Sequence, residues 1–363
     1  MTGISAYPRL LTNPEANRIV TQGTKTRIAL LLGDPNGVGP ELAARLLSLA
    51  EVGERADMVA IGPPAVWEAA QRVAGVRLEA PRIADVARTR RSASGLSFLP
   101  LAGFEASDIT VGQATRKAGA LVLESLAFVA QALERGDVDA AMFAPLNKQA
   151  MRMAGLAQED ELEYMAERLG YEGPVCELNV VDGLWSSRVT SHIPLAKVAE
   201  HLSVDAICAS AHVIDDALKT SGIARPRIAV CALNPHAGDG GTIGREEIDI
   251  IAPAMARLRG EGLDVEGPYP ADTAFLVARR QDFNAVLTMY HDQGQIALKT
   301  MGFERGVTVM GGLPYPIATP AQGTAFDIAG KGIANPEAIR RAFHIVADMG
   351  ESRARHRASA QVA

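Results

Sequence analysis

The stretch RIALLLGDPNGVGPELAARLLSL, residues 27–49, decides the fold class. Arg27 to Leu32 reads as a strand, with Ile28 to Leu32 all apolar. Gly33-Asp34-Pro35-Asn36-Gly37-Val38-Gly39-Pro40 is a turn, and Glu41 to Leu49 opens a helix with Pro40 near its first position. A buried strand, a glycine-rich turn and a helix in succession are the start of a βα unit. Working outward, the same alternation recurs. Strands are expected at 58–61, 140–144, 227–232, 284–288 and 306–310. Helices are expected at 64–74, 116–136, 194–202, 204–221, 245–260 and 336–349. This is α/β architecture. The middle departs from it: 175–181 and 187–191 read as neighbouring strands joined at the turn dipeptide Asp182-Gly183. The expected organisation is an extension over 1–26, a core region over 27–350 with a centre bracketed by the two ends of the chain, and a frayed tail over 351–363.

Composition narrows the function. The 363 residues are 48% hydrophobic and 21% charged, with a net charge of −6. Bulk charge therefore gives no reason to expect a nucleic-acid partner. Arg88-Thr89-Arg90-Arg91 and Arg353 to Arg357 read as solvated loop and tail. No apolar run reaches the roughly 18 residues that suggest a membrane span, and residues 1–26 lack the apolar core of a signal peptide. Cys176, Cys208 and Cys231 show no CxxC spacing and cannot all pair, which suits a reducing compartment, the cytoplasm.

Three of the seven histidines occupy comparable places. His192 follows Arg188-Val189-Thr190-Ser191, His236 follows the strand ending at Cys231, and His291 follows Met289-Tyr290. Functional groups in α/β sheets gather beyond the carboxyl ends of strands, and three imidazoles there suit one divalent metal with an open position. Each histidine alone reads at least as readily as a hydrogen-bonded structural residue. The polar, glycine-rich neighbours Asn234, Asp239, Gly240 and Gly241, and Asp292, Gln293 and Gly294, favour the metal. Two glycine-rich segments, Gly33–Pro40 and Gln322–Gly332, permit close approach of a ligand to the backbone.

Taken in order, these motifs resemble the PdxA family, the 4-phosphohydroxy-L-threonine dehydrogenases. Gly33 to Glu41 is similar to GDPxGxGPE, Asn234 to Gly241 to NPHAGxGG, and Gly267 to Thr273 to GPxPADT. Tyr290 to Gly294 matches YHDQG, Lys299 with Gly302-Phe303 matches LKxxGF, and Gly323 to Gly330 resembles GTAxxxAG. The resemblance runs from about Arg27 to Met349. It implies an isocitrate/isopropylmalate-dehydrogenase-like α/β fold with two subdomains around a cleft, and a homodimer with a shared active site. It implies a divalent metal on His192, His236 and His291, with His291 expected from the second subunit. Zinc is the first choice of metal, with magnesium, manganese, cobalt or nickel as alternatives. NAD is expected along Gly323, Thr324, Ala325, Asp327 and Gly330. Lys299, Asp272 and Asp292 are the expected catalytic residues.

The implied chemistry is oxidation of a secondary alcohol of a small hydroxy acid, then loss of CO₂ from the β-keto acid. The sequence departs from the family at expected substrate contacts. The His and Thr of the HTE motif are Glu161 and Leu162, an Arg is Ile317, an Asn is Thr308, and Asp-His before GTA is Ala321-Gln322. A carboxylate repels phosphate and Leu162 cannot donate to it. A substrate other than, or broader than, 4-phosphohydroxy-L-threonine follows. The alternatives are a dihydrodiol or sugar-acid dehydrogenase and a non-catalytic ligand-binding relative.

Overall fold

The computed structural model describes residues 25–87 and 95–360. The expected extension therefore lies almost wholly outside the described residues, as does the basic run at 88–91. Eleven strands form one sheet: β1 (Thr26–Leu31), β2 (Ala56–Gly62), β3 (Leu96–Pro100), β4 (Ala140–Phe143), β5 (Cys176–Val181), β6 (Leu184–Arg188), β7 (Arg227–Cys231), β8 (Asp264–Tyr269), β9 (Ala285–Thr288), β10 (Val307–Gly311) and β11 (Ile317–Pro320). Their order is β3-β2-β1-β4-β11-β10-β5-β6-β9-β7-β8. The strands β3, β2, β1, β4 and β11 are mutually parallel, and so are β6, β9, β7 and β8. Between these blocks β10 runs antiparallel to both β11 and β5, and β5 antiparallel to β6.

The quoted stretch forms as read. Every residue of β1 is buried, as a central parallel strand covered on both faces requires. The helix Gly39–Leu47 starts with its proline in the first turn, where the missing N–H costs nothing. The β5–β6 hairpin turns at Asp182 and Gly183, both with positive φ (49° and 82°). That is the twist-matched geometry of a two-residue hairpin.

Several expectations need correction. β6 ends at Arg188, three residues earlier than read, so His192 stands on a connecting segment. β3, β8 and β11 were not legible. β3 and β11 end in proline and β8 contains Gly267-Pro268, residues that depress a strand reading. The last helix runs over Glu337–Ala360 instead of stopping at Met349, and its residue Ser352 is buried. The frayed tail expected from residue 351 is thus helical to Ala360. This helix packs on β1, β4, β10 and β11, returning the end of the chain to its beginning. Among the described residues no helix is long and apolar enough to cross a membrane.

Candidate active site

The strands before the three histidines are neighbours: β6 pairs with β9 and β9 with β7, all parallel. Their carboxyl ends share one edge of the sheet. Past that edge the chain is tied down by its own polar groups. Thr190 donates from both its N–H and its hydroxyl to the Met289 carbonyl, at 3.1 and 2.9 Å. Gln293 accepts from the Met289 N–H at 2.7 Å and donates to the Ala232 carbonyl at 2.8 Å. It thereby ties the end of β9 to the segment leaving β7. Gly294 is buried against Ser186 and Thr288, where a Cβ would stand 3.1 Å from the serine oxygen. These contacts explain why the segment after β9 carries glutamine and glycine there.

The result brings His192 and His291 together. Their ring centroids are 5.4 Å apart. Nδ1 of His291 lies 2.7 Å from Asp292, and His192 Nδ1 contacts Glu159. Each imidazole has a carboxylate to fix its orientation, as ligating histidines commonly do. His236 does not join them. It is exposed on the turn Pro235–Gly241, and among the described residues no group of three His, Cys, Asp or Glu side chains is gathered for a metal ion. The resemblance had separated His291 from His192 by placing it on a second subunit. Within the chain those two pair, and His236 stands apart.

Helical spacing carries the site inward. In the helix His291–Gly302, residues 291, 295 and 299 lie on one face, because four residues make slightly more than a turn. His291, Gln295 and Lys299 all line a cavity of about 370 Å³. Its far wall is made by the starts of two helices. Asn147 caps Lys148–Met153 by accepting from the Ala150 N–H. Asp160 caps Glu161–Arg168 by accepting from the Leu162 and Glu163 N–H groups. These caps present Lys148 and Glu161 to the cavity. Its floor includes Glu177 and Asn179 of β5 and Thr308 of β10, with the Thr308 hydroxyl 3.4 Å from the Asn179 side-chain oxygen. Arg188 pairs with Glu177 at 2.8 Å. Lys148 Nζ stands 3.8 Å from both Asp160 and Glu161. Burial pushes the Glu161 carboxyl above the ordinary carboxylate range, opposed by the Lys148 charge.

The expected cofactor segment meets the same cavity. Gly323 lies on its lining. The Thr324 carbonyl accepts from the Val38 N–H at 3.0 Å, and its hydroxyl is 3.4 Å from Asn147 Nδ2. Gly37 must be glycine, since a Cβ there would stand 2.8 Å from the Thr324 Cβ. Ala325 and Gly330 adopt positive φ, and Asp327 is exposed. Within the Gly33–Gly39 turn, Asp34 is fully buried. One of its carboxylate oxygens accepts from the Asn36 N–H and the other has no hydrogen bond. Burial raises its pKa to about 6.

The remaining expected residues fall elsewhere. Asp272 is exposed in the first turn of the helix Ala271–Arg280, which packs beside the His236 turn. Leu162 and Ile317, expected to face substrate, are 4% and 1% exposed in an apolar cluster with Met165 and Phe143. They fill core, as their side chains dictate, and do not line the cavity. Sequence reasoning missed Lys148, Glu159, Glu177, Asn179 and Gln295. Gln295 was recoverable from its place between His291 and Lys299, and Lys148 from its position just after a strand end.

The model of the pyridoxal phosphate biosynthetic protein PdxA matches residues 54–346. A Pseudomonas aeruginosa protein, provisionally named 4-hydroxythreonine-4-phosphate dehydrogenase 2, is 51% identical over 331 residues, covering 90% of this chain and 98% of that protein. The crystal structure of 4-hydroxythreonine-4-phosphate dehydrogenase from Klebsiella pneumoniae superposes with a TM-score of 0.78 at 32% identity, over 91% of this chain and 99% of that one. A terephthalate 1,2-cis-dihydrodiol dehydrogenase from Burkholderia xenovorans superposes with a TM-score of 0.64 at 27% identity, over 89% and 98%. On these matches the chain belongs to the PdxA family of dehydrogenases.

Proposed function

We propose that this protein is a metal-dependent, NAD-linked dehydrogenase that oxidises a secondary alcohol of a small hydroxy acid, with loss of CO₂ from the resulting β-keto acid. Its substrate is other than, or broader than, 4-phosphohydroxy-L-threonine. The observation that carries this reading is the single helical face on which His291 and Lys299 line one cavity, with His192 beside His291 and Glu161 on the opposite wall.

The donor chemistry fits a divalent metal. Two imidazoles with ring centroids 5.4 Å apart can serve one ion at ordinary Zn–N lengths of about 2.0–2.1 Å. His236 would be the third donor, with the set of three shared between the two copies of a homodimer. Such a metal would supply Lewis acidity toward the alcohol oxygen and then the ketone oxygen. The segment Gly323–Gly330 would hold NAD, which would supply the hydride acceptor. Lys299, which lines the cavity, would take the hydroxyl proton and return a proton to carbon once the carboxylate leaves as CO₂. Asp292 and Glu159 hold the two imidazoles, and Asp272, beside the His236 turn, would act from that side of the shared site.

The wall opposite Lys299 sets the substrate reading. Glu161 is a carboxyl where phosphate recognition would call for donors, and Lys148 is shared with Asp160 and Glu161. A dianionic group is disfavoured there. Thr308 supplies a neutral hydroxyl on the floor. The test is NADH formation by metal-loaded protein given 4-phosphohydroxy-L-threonine, unphosphorylated sugar acids or dihydrodiols, with CO₂ trapped. Efficient turnover confined to the phosphorylated substrate would overturn the substrate reading. Turnover without CO₂ would favour the second reading, a dihydrodiol or sugar-acid dehydrogenase. The likeness to the Burkholderia dihydrodiol dehydrogenase supports that alternative.

A further inference from the structure

The turn that carries His236 is conformationally unlike the rest of the described chain. His236, Ala237, Gly238, Asp239 and Gly240 all have positive φ, at 53°, 54°, 78°, 44° and 64°. A run of five left-handed residues is unfavourable for L-amino acids, and three of these are not glycine. Something must hold it, because such conformations persist only where their surroundings over-determine them.

Glu247 is that support. One carboxylate oxygen accepts from the Leu233 and Asn234 N–H groups at 2.8 and 2.7 Å. The other accepts from Asn234 Nδ2 at 3.0 Å. That same oxygen occupies the space beside Gly238, where a Cβ would come within 2.6 Å of it. The carboxylate therefore grips the entrance of the turn and packs under its centre. Glu246 adds a further acceptor for Asn234 Nδ2 at 2.6 Å. Glu247 is buried, and three donors to a carboxylate make strong, charge-assisted hydrogen bonds. It also begins a π-helical turn, Glu247–Ile251, a distortion frequent at functional sites.

We propose that Glu247 is the positioning residue for His236: it holds the left-handed turn in the shape from which the exposed imidazole can reach a metal ion. This inference rests on the reading of His236 as a ligand. Glu247 touches neither metal nor substrate. It acts through the backbone of residues 233–238.

The experiment titrates zinc into chelator-stripped full-length protein and reads affinity by calorimetry. The wild type is compared with His236→Ala, Glu247→Gln and Glu247→Ala, alongside NAD affinity and the thermal midpoint of each apoprotein. Glu247→Gln should weaken zinc by about 10- to 100-fold, the usual effect of losing an outer-shell partner. Its NAD affinity should stay near wild type, while the thermal midpoint falls, because the amide cannot accept from all three donors. Glu247→Ala should weaken zinc further. Should either Glu247 variant fail to fold, Gly238→Ala tests the same contact from the other side and should also weaken zinc. If His236→Ala loses zinc while the folded Glu247 and Gly238 variants bind it like wild type, the positioning role is wrong. If His236→Ala itself binds zinc like wild type, the ligand reading beneath the proposal fails as well.

Discussion

The helix His291–Gly302 and the turn Pro235–Gly241 stand at the ends of adjacent strands, yet they present their functional groups by opposite means. On the helix, four cavity-lining side chains, His291, Gln295, Leu298 and Lys299, follow from the 3.6-residue repeat, with regular backbone beneath them. On the turn, one histidine rides on five left-handed residues held by a carboxylate thirteen residues after Asn234. Regular structure positions side chains through periodicity, whereas the turn needs a dedicated clamp. Damage to the first should therefore alter chemistry and spare the fold. Damage to the link between the two should reach both.

The largest effect is expected from Lys299→Ala. Lys299 is exposed on its helix, so its removal should leave the thermal midpoint nearly unchanged. As a proton-transfer group it should cost about 100- to 10,000-fold in kcat. Steady-state NADH formation on whichever hydroxy acid the wild type oxidises gives the measurement. An unchanged kcat would break the distinction, reducing Lys299 to a surface residue.

Gln293 joins the two regions. Its side chain satisfies the Met289 N–H and the Ala232 carbonyl, both belonging to residues wholly removed from solvent. Gln293→Leu would strand both groups and should cost about 3 kcal/mol of stability, at about 1–3 kcal/mol for each buried group left unpaired. Urea unfolding measures this. Zinc affinity should fall with it, because the segment before the His236 turn loses its tie to β9.

On the helix side His291 was legible from its polar neighbours and Lys299 from its motif, although the helix that carries them was not among the expected elements; of the turn little was legible. The glycines of residues 238–241 were visible too, but a left-handed run cannot be inferred without Glu247, which local pattern does not connect to it. The opposite failure occurred at Leu162 and Ile317. Motif position suggested substrate contact, while their apolar side chains had already assigned them to the core. Strand order was equally hidden: the antiparallel insertion of β10 and β5 between two parallel blocks depends on contacts far apart in the chain.

The cavity side is relaxed in backbone, but its supporting turn carries an electrostatic cost at Asp34. The folded pKa of about 6 lies above the ordinary 3.8. The folded state therefore holds the proton more tightly. Its stabilising contribution is complete below about pH 4 and is lost as pH rises through about 6. Asp34→Asn removes this dependence while leaving an oxygen for the Asn36 N–H. Between about pH 4.5 and about pH 7.5 the wild type should lose about 2 kcal/mol relative to the variant. Paired urea titrations at the two pH values check both the sign and the size. Equal differences at both would mean that Asp34 keeps its charge in the fold.

Glu161→Gln tests the cavity wall opposite Lys299, where the expected effect is smaller and falls on substrate choice. Burial raises the Glu161 pKa while the Lys148 charge opposes that rise. A substrate phosphate at this wall would stand beside the Glu161 carboxylate as well as Lys148. Replacing the carboxylate with an amide leaves Lys148 shared with Asp160 alone and adds donors to the wall. At an effective dielectric near 20, removing one like charge several ångströms away gains about 1–3 kcal/mol for an anion. Side-chain rearrangement and solvent should reduce this to roughly a tenfold rise in kcat/KM for a phosphorylated hydroxy acid, about 1.4 kcal/mol. The unphosphorylated acid should change little or decline. A comparison of kcat/KM for the two acids in wild type and variant gives the ratio directly. If the variant shifts neither, substrate choice is made away from this wall, and the floor residues Asn179 and Thr308 become the place to look.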